Sequence, residues 1–400
     1  MHMEKDMLIQ RDPYRWVILA LAWLVYFAFG LILSSIPPLA TTIANDLLLT
    51  FSQMGAILGS VILMYVPFAI PTGVIIDRIG HRKMITAGLI LISSSAILRV
   101  FAADFETLFL TVLIFGLGGP TISVGLPKVV ASAFQGRERG LASGIYMTGF
   151  IIGSTIALAL TNALIIPLVG TWRNTFLLYG LIGLLIAGAW ILLVKKPTPK
   201  VETRSVMPPL RKILRSLFGL QSVWMVAIIG TSGFLIYYGF GNWLPALLES
   251  KGLNAVEAGV LASFPTWIGL IGSVFIPGIA KAGSRRPMII LILLFQGISI
   301  IIVGVESGLL LLTSLAIYGI FSGAMMPVLL VVLMDLPNVG AEYTGVASGV
   351  YFSIGALFGF IGPTIVGYFT DLTGSFLLPI ILLALVMEAM IVVAYLLKES

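Results

Sequence analysis

The sequence predicts an all-α integral membrane protein in which twelve transmembrane helices form two six-helix halves related by pseudo-two-fold symmetry. Three observations lead to this fold class. Apolar runs long enough to cross a bilayer recur along the whole chain, only 10% of the 400 residues are charged, and motifs of the first half return in order in the second. Soluble domains carry about 25% charged residues, so this chain lacks the polar residues that cover a water-soluble globule.

The composition also limits the chemistry that the chain can perform. Hydrophobic residues make up 59% of the sequence, and the mean hydropathy is +1.09. There are two histidines and no cysteine, which excludes disulfides and cysteine-ligated metals and argues against a histidine-based centre. We therefore expect no metal and no cofactor. The polar N-terminal segment lacks the pattern of a cleaved signal peptide, so the first span is expected to direct insertion.

Apolar runs of about twenty residues are the length of a membrane-spanning helix. Twelve such runs, numbered here as spans 1 to 12, cover residues 14–40, 51–76, 84–102, 107–134, 140–165, 173–194, 220–248, 255–280, 287–305, 308–334, 343–370 and 375–397. One long polar stretch, rich in charge and proline, separates span 6 from span 7. We therefore predict an N-terminal bundle over residues 1–194, a cytoplasmic linker over 195–219 and a C-terminal bundle over 220–400.

The two halves repeat each other at four collinear places. The paired segments are YFAFG from Tyr26 with YYGFG from Tyr237, the charged loop at Gly80 with its counterpart at Gly283, IFGLGG from Ile114 with IYGIFS from Ile317, and GLASGIY from Gly140 with GVASGVY from Gly345. Their separations are similar, between 203 and 211 residues. Parallel repeats of this kind are typical of transporters built from two related halves.

The charged loop GVIIDRIGHRK, Gly73–Lys83, joins spans 2 and 3 and must lie in water because hydrocarbon cannot hold so many charges. Lysine and arginine concentrate in cytoplasmic loops. With both termini cytoplasmic, the external loops contain few cations, namely Arg99, Arg173 and Lys251. The sequence therefore predicts a multi-pass cell-membrane protein with cytoplasmic N- and C-termini.

The loop pattern G-x-x-x-D-R-x-G-x-R-K resembles the signature loop between helices 2 and 3 of the major facilitator superfamily. The likeness extends over the chain and includes RERGLASGI at Arg137–Ile145 and GFIGPTIVGYFTDLTGS at Gly359–Ser375. The segment Met334–Gly349 is similar to the cyanate-permease branch, which moves small anions. The resemblance implies the major facilitator fold and transport by alternating access. Val112 stands where the family has an arginine in span 4, which puts the roles of that arginine in doubt.

Asp77, at the C-terminal end of span 2, is predicted to form a gate. Because the dipole of its own helix is unfavourable there, we expect it to dock on the N-terminus of span 11, near residues 343–347. The predicted gating residues are Gly73, Asp77, Arg78, Gly80, Arg82, Lys83, Arg137, Arg139 and Glu342. The alternative interpretation is that the cations of this loop only fix the topology.

Lys128 is the cation that lies well inside a span. A lysine at depth costs about 2.5–3.5 kcal/mol, so it usually faces a cavity or a partner. Thr121 lies on the same face of span 4, and the resemblance implies that spans 1, 4, 7 and 10 line the central path. We therefore predict that Lys128 attracts an anionic substrate. Alternatively, it extends to the cytoplasmic interface without contacting substrate.

Polar and aromatic residues near the middle of several spans are further candidates for substrate contact. A few such groups in an apolar wall are typical of small-molecule sites. The predicted set is Tyr26, Tyr65, Thr121, Lys128, Tyr237, Tyr238, Asn242, Trp267, Tyr318 and Ser322. Each of them taken alone is as compatible with packing as with binding.

These features predict a secondary active or facilitative transporter of a small solute, an organic or inorganic anion. No nucleotide-binding loop and no clustered catalytic residues occur in the sequence, which argues against ATP drive and against an enzyme. The alternatives are a non-transporting receptor or sensor on the same scaffold, or proton-coupled efflux or uptake of a neutral or drug-like compound. The expected partners are the small-molecule substrate and the lipid bilayer, with no nucleic acid and a monomeric state.

Overall fold

A computed structural model describes residues 13–194, 219–279, 285–336 and 340–397. Of the predicted linker 195–219, all but the last residue lies outside these ranges. The second charged loop, around Gly283, also lies outside them.

Twelve helical segments in the described part of the chain are long and apolar enough to span a membrane, which confirms the predicted fold class. Span 1 comprises α1 Tyr14–Leu33 and α2 Ala40–Asp46, and span 2 comprises α3 Phe51–Leu63 and α4 Tyr65–Ile79. Span 3 is α5 His81–Leu98 and span 4 is α6 Phe105–Ala133. Span 5 includes α7 Gly136–Thr155 and α8 Ile166–Val169, and span 6 is α9 Trp172–Leu193. The helices of spans 7 to 12 are α10 Gln221–Ser250, α11 Ala255–Ile279, α12 Arg285–Val305, α13 Gly308–Asp335, α14 Gly340–Thr373 and α15 Leu377–Leu396.

Side-chain caps define where several helices begin. Thr50 precedes α3 and forms a reciprocal capping box with Gln53, whose backbone N–H donates to the Thr50 hydroxyl at 3.1 Å. Asp104 caps α6 in the same way, and the hydrogen bonds from Thr107 lower the pKa of its carboxyl group. These caps satisfy backbone donors that the first turn of a helix leaves without partners.

Three spans are interrupted rather than continuous. Span 1 breaks after Leu33, and a short 3₁₀ turn over Pro37–Leu39 precedes α2. Span 2 breaks at Met64, and span 5 contains a π-helical stretch over Ile156–Ile165. The span predicted over 14–40 corresponds to the single candidate span Tyr14–Asp46, which contains the break after Leu33. The physical reason is that Pro37 and Pro38 lack the N–H groups that a continuous helix requires.

Close helix contacts at glycine repeat between the two halves of the sequence. In spans 1 and 5, a Cβ at Gly30 would meet the Phe150 carbonyl, and one at Gly153 would meet the Phe27 carbonyl. In spans 7 and 11, Gly239 and Gly362 approach each other directly, with backbone atoms about 3.2 Å from the positions of their Cβ atoms. Each glycine of the second pair lies 209 positions after its counterpart in the first. The internal repeat thus preserves helix packing as well as sequence.

The chain divides into two compact units whose boundaries fall inside spans 1 and 2. The first unit contains the described residues of Met1–Leu39 and Pro67–Thr198, and the second those of Ala40–Val66 and Pro199–Ser400. Consequently α1 and α4 belong to the first unit, whereas α2 and α3 belong to the second. Both boundaries lie next to the helix breaks described above.

Arg99, which the sequence assigns to an external loop, has a buried side chain. Its side chain is fully buried in the first unit, at the start of a 3₁₀ turn that follows α5. Two serine hydroxyls accept hydrogen bonds from the guanidinium group, and Phe176 lies 5.1 Å away from it. These neighbours account for the burial of a residue that charge counting assigns to water.

Candidate functional site

Asp371, in the last turn of α14, binds the first turn of α3. Its carboxylate accepts hydrogen bonds from the backbone N–H groups of Phe51 at 2.8 Å and Ser52 at 2.7 Å, and from the Ser52 hydroxyl. A carboxylate is favoured here because the N-terminus of a helix carries partial positive charge and unpaired donors. We call Asp371, Phe51 and Ser52 the Asp371 latch. It joins residues 320 positions apart in the chain, within the second unit.

The two helices approach closely over the length of α3 because glycine replaces larger residues along their contact. Cβ atoms at Gly55 and Gly59 would collide with the carbonyl oxygens of Pro363 and Phe360 in α14. The same holds for a glycine of α14, since a Cβ at Gly367 would collide with the carbonyl of Phe51 in α3. Backbones that approach to this distance make extensive van der Waals contact, which is the main source of helix association in membranes.

Aromatic side chains cover the same end of this contact. The rings of Phe51, Trp243 and Phe376 lie with centroids 5.5–5.7 Å apart. Trp243 is buried and donates its indole N–H to the Pro363 carbonyl at 2.9 Å. Nearby helices of the second unit are also joined by Thr41, whose hydroxyl donates to the carboxylate of Glu249 at 2.6 Å. Asp371 therefore lies beside a well-packed apolar cluster.

The predicted gating loop is described only in part. The side chains of Asp77, Arg137 and Glu342 lie outside the described part of the structure. Gly80 has a φ of +93°, which favours glycine, and it precedes α5 directly. Arg78, Lys83 and Arg139 are exposed. The docking of Asp77 on span 11 therefore stays a prediction.

Arg82, one of the predicted gating residues, contacts the end of span 6. Its guanidinium donates to the backbone carbonyl of Ile191, and the indole N–H of Trp190 donates to the Arg82 carbonyl at 3.2 Å. A cation at the C-terminal end of a helix interacts favourably with the helix dipole. In this structure Arg82 thus stabilises the packing of α9 against the start of α5.

The candidate substrate residues of the second unit form two small groups. Tyr237 and Tyr238 on α10 pack edge to face with centroids 5.1 Å apart, and Tyr237 is 46% exposed in the middle of its span. Tyr318 is buried and hydrogen-bonds with Ser322 one turn further along α13. The two groups lie on neighbouring helices, since Phe240 of α10 packs edge to face on Tyr318 of α13 with centroids 4.9 Å apart.

The remaining candidates of the second unit are more dispersed. Asn242 donates its amide N–H to the Leu58 carbonyl at 3.4 Å, so it contacts α3. Trp267 on α11 is 46% exposed. Tyr65, half-buried, is the first residue of α4. The structure thus brings together four of the seven predicted residues of this unit, namely Tyr237, Tyr238, Tyr318 and Ser322.

In the first unit, three candidates occupy three different environments. Tyr26 packs among Phe29, Tyr146 and Phe150. Thr121 is buried and faces Gly88 of α5, where its hydroxyl donates within its own helix. This position shows that Thr121 has a role in helix packing, and its contact with substrate stays a prediction.

Lys128 of span 4 contacts Gly73, the first residue of the charged loop Gly73–Lys83. Its ammonium group donates to the Gly73 carbonyl at 3.2 Å, and the side chain is half-buried. The contact links two of the predicted site residues, one from the substrate group and one from the gating group.

Among the described residues, no group of three or more histidine, aspartate or glutamate side chains could hold a metal ion. Asp371 is the residue that sequence reasoning missed. Two local signals mark the latch, namely the Thr50–Gln53 capping box before α3 and the sequence Asp-Leu-Thr-Gly that ends α14, where Gly374 has a φ of +68°.

Comparisons with known proteins agree with this architecture. The family model described as Major Facilitator Superfamily matches residues 22–363. The hexuronate transporter of Bacillus subtilis (strain 168) is 25% identical over 84% of this chain and 83% of its own length. The 3-(3-hydroxy-phenyl)propionate transporter of Escherichia coli (strain K12) is 26% identical, with 87% and 85% covered.

A solved structure is similar over nearly the whole chain. The crystal structure of a bacterial homolog to the human lysosomal transporter Spinster, in an inward-facing and unoccupied conformation, superimposes with a TM-score of 0.76. The two sequences are 18% identical, and 96% of each chain is covered. This similarity concerns the fold.

Proposed function

Because the chain belongs to the major facilitator superfamily, with twelve membrane-spanning helices in a multi-pass arrangement, we propose that it transports a small anionic solute by alternating access. In this proposal, residues 1–194 and 220–400 are two six-helix bundles joined by a cytoplasmic linker. The transport is secondary or facilitative. The solute binds at one central site, which opens in turn to the two sides of the membrane.

The observation that carries the proposal is the Asp371 latch together with the close glycine contact beside it. Span 2 belongs by sequence to the first bundle, yet its first part, α3, packs within the second unit, and its second part, α4, belongs mainly to the first. A helix divided in this way is expected where two bundles close against each other at one end. The hydrogen bonds to Asp371 lie at an exposed edge, so they contribute modestly and can break reversibly.

The orientation follows from the distribution of cations. With both termini cytoplasmic, the Asp371 latch lies at the external end of the bundle and Asp77 at the cytoplasmic end. The predicted contact of Asp77 with the start of span 11 is then the counterpart of the observed contact of Asp371 with the start of span 2. We propose that the two aspartates act alternately, the external one in the conformation described here and the cytoplasmic one in the opposite conformation.

Anion selectivity is assigned to Lys128. Two relatives named as transporters of hexuronate and of 3-(3-hydroxy-phenyl)propionate suggest a carboxylate, which an ammonium group would attract. Tyr237, Tyr238, Asn242, Tyr318 and Ser322 are proposed to supply hydrogen bonds from the second bundle, and Tyr26, Tyr65 and Trp267 to complete the wall. Thr121 has the weakest support of the set, because it faces Gly88.

Replacing Lys128 by methionine is expected to raise the apparent KM for the anion at least about tenfold, because the loss of a charged hydrogen bond costs about 1.5–3 kcal/mol. Uptake into proteoliposomes measures this change. Lys251→Met is the matched control, since Lys251 donates to the Glu306 carbonyl at 2.7 Å in a loop outside the spans. An unchanged KM in Lys128→Met would support the alternative in which this lysine only reaches the interface.

The function itself is tested by flux in proteoliposomes after a thermal-shift screen of small carboxylates, cyanate and nitrate, since a bound ligand raises the melting temperature. We expect at least one anion to stabilise the protein and to be transported. Binding without flux would favour a receptor or sensor. Flux of a neutral compound that depends on a proton gradient would favour proton-coupled transport.

A further inference from the structure

Span 1 is interrupted at the point where the chain passes from the first unit to the second. Between α1 and α2, residues 34–39 form a turn and a 3₁₀ segment, and the boundary between the units falls after Leu39. The proline pair at 37 and 38 removes two backbone donors, so the helix cannot continue through this segment. A short non-helical segment between two helices has the properties of a hinge. We call residues 34–39 the span-1 linker.

Arg99 binds the beginning of the span-1 linker. Its Nη1 donates to the Ser35 hydroxyl at 3.2 Å, and its Nη2 donates to the Ser95 hydroxyl at 3.2 Å. Both hydroxyl hydrogens are engaged elsewhere, because Ser35 donates to the Ile32 carbonyl and Ser95 to the Thr111 carbonyl, each at 2.7 Å. The serine lone pairs are thereby directed at the guanidinium group. Arg99 thus ties the linker to spans 3 and 4.

The Arg99 guanidinium group is a charged group that is fully buried. The side chain is 0% exposed, its Nε has no hydrogen-bond partner, and no ion pair with an acid occurs among its contacts in the described residues. A buried cation without a carboxylate is costly for stability. The face of Phe176, 5.1 Å away, compensates only in part. A hydrophobic residue of similar volume would fill this site at lower cost, so the arginine is better explained by what it holds in place.

Asn162 binds the other end of the linker. Its amide Nδ2 donates to the Pro38 carbonyl at 2.8 Å. This asparagine lies in the π-helical stretch Ile156–Ile165 of span 5. Local π-helical geometry is found frequently at functional sites. The linker is therefore held near both ends by polar side chains of the first unit, and Ser35, Pro37, Pro38 and Leu39 are all buried.

We propose that Arg99 and Asn162 are positioning residues for transport, which hold the span-1 linker in the conformation that accompanies closure at the Asp371 latch. This proposal rests on the proposed function. Both residues act through the linker and do not contact the solute. Loss of either contact releases the linker and shifts the protein away from the conformation described here, without altering the affinity of the central site.

The test uses the absence of cysteine from the natural chain. Ile62→Cys introduces a single reporter thiol. It replaces a side chain that is 6% exposed and lies beside Gly359 of α14. We expect Arg99→Gln, Ser35→Ala and Asn162→Leu each to increase maleimide labelling of this thiol about tenfold, as the loss of one charged or buried hydrogen bond predicts. If the Ile62→Cys parent transports a solute, we expect the three variants to have a lower kcat and a KM within about twofold of the parental value.

Arg173→Gln is the matched control, because Arg173 is a second arginine near the same helix ends, and it donates to the Ala102 carbonyl at 3.1 Å and stacks on Trp172. Ser35→Ala removes a single hydroxyl, so it keeps the test valid if Arg99→Gln does not fold. Parental labelling in the folded variants would overturn the proposal, as would an equal increase in Arg173→Gln. Lost solute binding with unchanged labelling would overturn it too. Labelling needs no substrate, so it tests the linker even if the parent shows no flux.

Discussion

Replacing Asp371 by asparagine is expected to shift the protein towards conformations that are open at the end where α3 begins. Asparagine removes the negative charge and leaves one acceptor oxygen in place of two, whereas the aspartate accepts from Phe51 and Ser52 together. With allowance for solvent exposure, the loss amounts to about 1–2 kcal/mol. A difference of this size changes the ratio of two conformations about 5–30-fold.

Two measurements follow this shift. Labelling of the Ile62→Cys reporter should increase, because Ile62 faces Gly359 in the closed contact. The turnover number should fall while solute affinity is retained, because the carrier closes less readily after binding. Asp104→Asn serves as the control, since Asp104 caps the first turn of its own helix and makes no contact with α3 or α14 in the structure. Equal labelling in Asp371→Asn and the parent would show that the latch does not set the conformation.

The number and approximate positions of the spans could be predicted because a bilayer requires about twenty consecutive apolar residues. The interruption of span 1 could not be obtained from apolarity, although the dipeptide Pro37–Pro38 was a local signal for it. Charge counting also did not indicate that Arg99 is buried, because positive residues near a span end are usually exposed. Its burial depends on Ser35 and Phe176, which are distant in sequence and become neighbours only in the fold.

The site was harder to predict than the fold for a related reason. Spans are apolar on every side, since lipid favours apolar residues as much as a protein core does. The sequence therefore indicates which residues are polar within a span but not which neighbour each one faces, as Thr121 illustrates. The Asp371 latch joins residues separated by 320 positions. The physical argument for Asp77 also applies to Asp371, which is a carboxylate at the C-terminal end of one helix that binds the N-terminus of another.

A leucine at Gly59 should prevent α3 and α14 from closing. Even a Cβ at this position would collide with the Phe360 carbonyl, and a backbone contact cannot move aside as a flexible side chain does. Overpacking of this kind costs about 1–3 kcal/mol or more, which corresponds to about 5–150-fold in a conformational equilibrium. We expect transport to be lost, labelling of the Ile62→Cys reporter to increase, and the solute still to bind from the side that stays accessible.

Gly144→Leu in α7 is the reciprocal experiment. Among the described residues, apart from the neighbouring backbone of α7 itself, no atom lies within 4 Å of a Cβ built at Gly144, and the same holds for Gly140 one turn earlier. Leucine is therefore tolerated in the conformation described here. If the carrier alternates, these two glycines admit a close helix contact in the opposite conformation, as Gly55 and Gly59 do in this one. Gly144→Leu should then abolish transport while reporter labelling stays at or below the parental level. Transport at the parental rate would exclude this face of α7 from the closing surface.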